Sequence, residues 1–203
     1  MSQRTSSPNL AAFQAKYTYK NPLLRYANSR FLETIQTMLG QVPFDTLLDI
    51  GCGEGIVLGQ TAITSNARIT GIDRDPDRIN LAMEYDTVAD LVIGDAQDLP
   101  YDEGTFDIVL MLELLEHVGN PQIALDEAHR VSGRYLLASV PHEPWWRLGN
   151  MARLKYLRDF GNTPEHINHW TLPGFKTFLS SRFSILEVRN PVLWTFVLAE
   201  KRT

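Results

Sequence analysis

Three glycines within five positions, Gly51, Gly53 and Gly55, interrupt the stretch "LLDIGCGEGI" directly behind an apolar run. Each glycine costs backbone entropy on ordering, so a cluster after a strand marks a chain that must turn sharply or lie against a guest. In an open α/β sheet, ligands bind outside the carboxyl ends of the strands, at such a turn. There the backbone of Gly51 and Gly53 can approach the ligand, while a helix opening near Glu54 aims free N–H groups at a carboxylate or phosphate. The guest this suggests is a nucleotide-like cofactor. Asp73, about twenty residues further on, lies where a ribose-binding acid is expected. A dinucleotide G-x-G-x-x-G run begun at Gly51 would need glycine at position 56, where Ile56 stands, and Asp49 would set a negative charge near a pyrophosphate. Both points favour a ligand without phosphates.

Other reactive side chains are fewer. Cys52 is the single cysteine, so no intrachain disulfide exists. It has no clear histidine partner in the sequence, and small residues suit such a loop, so a packing role is expected of it rather than a nucleophilic one. In "TPEHINHWTLPGF", His166 and His169 are the candidates for a general base. Two histidines three apart can bind a metal on a helix, but Pro164 and Pro173 argue against a long helix there, and no metal is expected.

These residues must be positioned by elements that the apolar pattern reveals. "TLLDI", "ARITGID", "DLVIGD", "FDIVLML" and "GRYLLASV" alternate with helix-length segments, the pattern of a parallel sheet with crossover helices. Their continuous apolarity suits strands buried on both faces. "FSILEVRN" and "VLWTFVLAE" have only the short Asn190-Pro191 turn between them and should pair antiparallel. The expected fold is therefore α/β: a Rossmann-like, doubly wound seven-stranded sheet, mostly parallel, with a C-terminal antiparallel hairpin. "DPDRINLAMEY" and "NPQIALDEAHRV" open with an Asp or Asn cap and a proline in the first turn. Ahead of the sheet, Leu24, Ala27, Phe31, Ile35 and Met38 recur at helical spacing up to Gly40, predicting a helix that packs on the core or covers the pocket.

The motifs "LLDIGCGEG", "ITGIDRD", "VIGDAQDLPYDEGTFDIVLMLELLEHV" and "RYLLASVP", in this order, resemble those of class I S-adenosylmethionine-dependent methyltransferases, in particular the small-molecule, type 11-like enzymes. The resemblance runs from about Thr46 to Val140. It implies S-adenosyl-L-methionine as cofactor, with the Gly51, Cys52 and Gly53 backbone along its methionine part and Asp49 near its amino group. It further implies that Asp73 accepts both ribose hydroxyls, that Arg74 flanks the adenine, and that Asp95 and Ala96 read the adenine edge. Leu112 and Glu113 are implied to line the pocket near the sulfonium. Glu116 and His117 of "LEHV" are read mainly as architecture. A protein that keeps the cofactor site without transferring a methyl group is the leading alternative, and a nicotinamide-dependent oxidoreductase the next.

At 203 residues one domain is expected: a covering helix within 1–40, a cofactor-binding core over 46–140, an inserted acceptor segment over 141–171, and a helix and hairpin over 172–203. The net charge of −5 offers no general field for a polyanion, so a small-molecule acceptor is expected rather than nucleic acid. The N-terminal residues lack the apolar core of a secretion signal and no apolar run approaches a membrane span, which points to the cytoplasm. Segment 145–160 carries Trp145, Trp146, Arg147, Arg153, Lys155 and Arg158. Contact with a membrane surface is one use for it, yet Leu148, Met151, Leu154 and Leu157 step around a helical wheel rather than forming one stripe. A lid over an apolar or lipid-like acceptor fits better, and Tyr17 and Tyr19 are further candidates for closing over the cofactor. Oligomeric state has no sequence signal.

Overall fold

The apolar runs become strands whose alternating residues feed two cores, one on each face of a sheet. The computed structural model describes residues 21–60, 67–84, 89–143 and 166–202. Strands β1 (Thr46–Ile50), β2 (Arg68–Asp73), β3 (Asp90–Ile93), β4 (Phe106–Leu112) and β5 (Ser132–Pro141) pair in parallel. Strands β6 (Phe183–Arg189) and β7 (Trp194–Lys201) form the expected hairpin. The order is β3-β2-β1-β4-β5-β7-β6, so β7 slips between β5 and β6 and pairs antiparallel to β5.

In β4, Ile108 and Leu110 join one core with Phe31, Ile35 and Met38, while Val109 and Met111 join the other with Ala124, Leu125 and Ala128. Burial on both faces explains why the strand reads as an unbroken apolar run. The first helix, α1 (Pro22–Leu39), starts where Asn21 accepts a hydrogen bond from the Leu23 N–H and Pro22 occupies the first turn. Its Ala27, Phe31, Ile35 and Met38 are buried, as their spacing predicts. The Phe31 ring meets Trp194 at 4.9 Å and Phe196 at 5.0 Å between centroids. Of the two roles expected for α1, packing on the core is the one seen.

The other helices among the described residues are short: α2 (Ile56–Gln60), α3 (Pro76–Glu84), α4 (Pro121–Val131) and α5 (Leu172–Leu179). The Asn120 side chain caps α4, accepting from the Gln122 and Ile123 N–H groups, and Thr171 caps α5. No helix among the described residues is long and apolar enough to cross a membrane. Tyr17, Tyr19 and segment 145–160 lie outside the described residues.

The sheet turns from its β2 side to its β5 side between β1 and β4, which makes their carboxyl ends the topological switch point. Their amino ends are locked by one side chain. Asp107 Oδ2 accepts from the Asp45 N–H (2.8 Å), the Thr46 N–H (2.9 Å) and the Thr46 hydroxyl (2.9 Å), and Thr46 Oγ1 accepts in return from the Asp107 N–H. These bonds hold the Asp107 carboxyl below its ordinary pKa. Replacing a partly buried acceptor of this kind leaves donors unpaired at a cost of about 1–3 kcal/mol. Asp107→Ala is therefore expected to lower stability by that amount in urea denaturation, with the fold retained.

Candidate functional site

Gly51 follows β1 with φ +75°, and its N–H donates to the Ile72 carbonyl at 2.7 Å, so the chain leaves the sheet at once. Gly53 and Gly55 also take positive φ, +55° and +72°, before α2 begins at Ile56, two residues later than the sequence suggested. The Gly53 N–H donates to Asp73 Oδ2 (2.9 Å) and the Asp75 N–H to Asp73 Oδ1 (2.9 Å), so this carboxylate fastens the glycine loop to the end of β2. An ionised carboxylate accepts about four hydrogen bonds, which leaves each Asp73 oxygen a lone pair for a ligand.

Over the switch point lies a cavity of about 460 Å³, within the range of small-molecule sites. Gly51, Asp73, Arg74, Asp95, Ala96 and Glu113, all singled out from the sequence, line it. Cys52, Gly53, Asp49 and Leu112 are not among its lining residues. The Cys52 Sγ packs where a Cβ on Gly71 would come within 2.9 Å, and burial pushes the thiol pKa up, which fits the packing role expected of it. Asp95 heads a tight turn in which its Oδ1 accepts from the Gln97 N–H. That turn is anchored to α4, where Glu127 accepts from the Leu99 N–H and Arg130 donates to the Leu99 and Tyr101 carbonyls.

The wall is acidic: Asp73, Asp75, Asp95 and Glu113 outnumber Arg74 and Arg78. Asp49 is 3% exposed, and burial together with the charge of Asp73 raises its pKa to about 8. Glu113 also rises to about 8 through burial, although its carboxylate accepts from the Trp194 indole N–H (2.7 Å) and the Ser139 hydroxyl (3.1 Å). Its φ of +53° is unusual for a residue with a Cβ, and strain of this sort gathers at functional sites. The sequence reading missed Trp194 and Ser139, because nothing local ties a hairpin tryptophan to a residue some eighty positions earlier.

His117, Val118 and Ile167 line the cavity as well. The Ile167 and Asn168 N–H groups both donate to the Glu116 carbonyl, and the Asn168 amide donates to the Leu115 and Val118 carbonyls. This clamp brings the buried His166 against His117, ring centroids 4.9 Å apart, and beside Glu116. His169 is not brought there: its Nδ1 lies 3.8 Å from a Glu143 oxygen. Neither His166 nor His169 lines the cavity, whereas His117, read as architecture, does. Asn168 between the two histidines was the overlooked signal.

A strand order of this kind, with a glycine turn and acids at the ends of β2 and β3, defines a Rossmann-like methyltransferase fold. The family model described as "Methyltransferase domain" matches residues 48–134. The 27-O-demethylrifamycin SV methyltransferase of Amycolatopsis mediterranei is 33% identical over 114 residues, covering 53% of this chain and 42% of that protein. The ubiquinone biosynthesis O-methyltransferase of Maricaulis maris is 39% identical over 99 residues, covering 45% and 39%. The magnesium protoporphyrin IX methyltransferase of Synechocystis, solved with bound SAH, superposes with a TM-score of 0.71 at 16% identity over 97% of this chain and 95% of that one. Over residues 48–134 the chain is thus similar to the class I S-adenosylmethionine-dependent methyltransferases, and its matches span about two-fifths of the length of those two curated relatives.

The two loop glycines separate backbone strain from space. A Cβ on Gly53 would meet nothing within 4 Å, so Gly53→Ala is expected to cost only the left-handed penalty of about 1–2 kcal/mol. A Cβ on Gly51 would come within 2.7 Å of Leu114 Cδ1, a flexible tip in the cavity wall. Gly51→Ala should show a similar stability loss in urea and, because Leu114 must swing, a further loss of ligand affinity in calorimetry.

Proposed function

We propose that this chain transfers the methyl group of S-adenosylmethionine to a small-molecule acceptor by in-line displacement. The observation that carries this reading is the acidic cavity at the switch point, bounded by Asp73 and Asp95 on the donor side and by Glu113 at the end of β4. The donor, when bound, supplies a sulfonium that is already a strong electrophile. The protein therefore has to align the two partners and exclude water, and alignment is worth about 7–11 kcal/mol of barrier. In this reading Asp73 holds the ribose through its spare lone pairs, Arg74 flanks the adenine, and Asp95 with the Ala96 N–H reads the adenine edge. The Gly51–Gly53 turn carries the methionine part, Asp49 faces the ammonium from beneath, and Leu112 backs Glu113 near the sulfonium.

The acceptor is assigned to the side bounded by His117, Val118 and Ile167. His166 reaches it through His117, so a base role for His166 runs through that ring, and no base role is assigned to His169. Trp145 and Trp146 support an apolar or lipid-like acceptor beneath a lid over 141–171, with membrane-surface contact through 145–160 as the other use of that segment. A cytoplasmic location accompanies this reading, as does the absence of a general basic field for nucleic acid. A nicotinamide cofactor fits less well, since its pyrophosphate would face Asp49 and Asp73.

Calorimetric titration with S-adenosylhomocysteine tests the donor. Micromolar binding is expected, weakened at least tenfold in Asp73→Ala, since charge-assisted hydrogen bonds contribute about 1.5–3 kcal/mol each. NAD binding in place of S-adenosylhomocysteine would overturn the reading, and donor binding without turnover on any acceptor would leave only a binding protein.

Asp49 supplies a second test. With a pKa of about 8 it holds a proton at pH 7 in the ligand-free protein, whereas the unfolded chain releases it near 3.8. The native state thus binds more protons between these values, and the stability of the protonated form is lost as pH rises towards 8. An ammonium beside Asp49 favours the carboxylate, so S-adenosylhomocysteine should bind with proton release and more tightly as pH goes from 6 to 8. Calorimetry in buffers of different ionisation enthalpy should show this release, and Asp49→Asn should abolish it.

A further inference from the structure

Behind the acceptor wall, one ligand atom each from Glu116, His117 and His166 lie within 4.8 Å of one another. Glu116 is 1% exposed, and neither of its carboxylate oxygens accepts a hydrogen bond from a described residue. A buried carboxylate left this way is costly, and proteins resolve it by keeping a proton on it, by pairing the charge or by coordinating a metal. Glu113 makes matters worse, for it places a second buried acid nearby, and its own oxygens are taken by Trp194 and Ser139. The backbone at Glu116 is rigidly held all the same, with Ile167, Asn168 and the Asn168 amide clamped onto residues 115–118. This held cluster offers a cation three ligand atoms close together.

The geometry points to a binding site for one divalent transition-metal ion, held by a Glu116 oxygen and one imidazole nitrogen each from His117 and His166. Two imidazoles and a carboxylate suit zinc, iron(II), cobalt or manganese better than magnesium or calcium, which favour all-oxygen shells. Ligand atoms about 2.1 Å from one ion stand about 3–3.5 Å apart, so side-chain rotations of an ångström or so would close the site. Three protein ligands leave at least one position open, as in catalytic zinc sites. His117 lines the cavity, so that position faces the side assigned to the acceptor, where an oxygen or nitrogen donor of the acceptor would complete the shell. That last role rests on the methyl-transfer reading, whereas ion binding does not. The His166–His169 pair weighed from sequence is not this site, because His169 turns to Glu143.

The test uses the untagged full chain, stripped with chelator and titrated with Co²⁺ while the visible d–d absorption is followed. One ion per chain is expected, with affinity reduced at least tenfold in Glu116→Gln and in His166→Gln and unchanged in His129→Gln, which lies elsewhere. Zn²⁺ should compete for the same site and raise the melting temperature of the parent but not of the two variants. Circular dichroism checks folding, and if Glu116→Gln does not fold, His166→Gln decides. Absence of stoichiometric binding, or equal affinity in the variants, overturns the inference. S-adenosylhomocysteine titrated in parallel separates the two readings: a chain that binds it and not Co²⁺ loses only the metal site. One that binds Co²⁺ through these residues and not S-adenosylhomocysteine loses only the donor.

Discussion

Strand β1 is paired on both edges and covered on both faces, so the sheet opens where β1 ends, and every other feature of the site follows from that constraint. The chain must leave a strand that has no free flank. It does so through Gly51, whose positive φ and bond to the Ile72 carbonyl turn it immediately over the end of β2. Asp73 then finds the Gly53 N–H within reach and ties the turn to the neighbouring strand. The same side chain that the resemblance assigns to the ligand thus also builds the loop beneath it.

Electrostatics set the second condition. Asp49, Asp73, Glu113 and Glu116 gather around one end of the sheet, and burial raises the pKa of three of them while Asp73 is satisfied by backbone N–H groups. Such a concentration of acid opposes folding unless protons or cations answer it. A ligand bearing an ammonium and a sulfonium would answer it on the side of Asp49 and Asp73, and a metal ion would answer it at Glu116.

The matched methyltransferase domain ends at residue 134, and the structure shared with a distant enzyme of 16% identity extends over nearly the whole chain. Beyond the matched domain lies Asn168, whose amide clamps the loop after β4. Such grafted parts, rather than the common sheet, set the acceptor in a widely shared fold.

Local chemistry fixed a good deal without any coordinates. The glycine turn, the acids at the ends of β2 and β3, the strand runs and the capped helices depend on neighbours within a few residues, so their pattern is written in order along the chain. Six of the ten residues that the resemblance assigns to the cofactor line the cavity. Contacts across long separations carry no such trace. The insertion of β7 between β5 and β6, the reach of Trp194 to Glu113, and the meeting of Glu116, His117 and His166 are decided by packing alone. Helical spacing placed Phe31 on a buried face but left open what that face would meet. The glycine turn and its acids could therefore be read from sequence, while the grouping of Glu116, His117 and His166 exists only once the sheet has brought distant segments together.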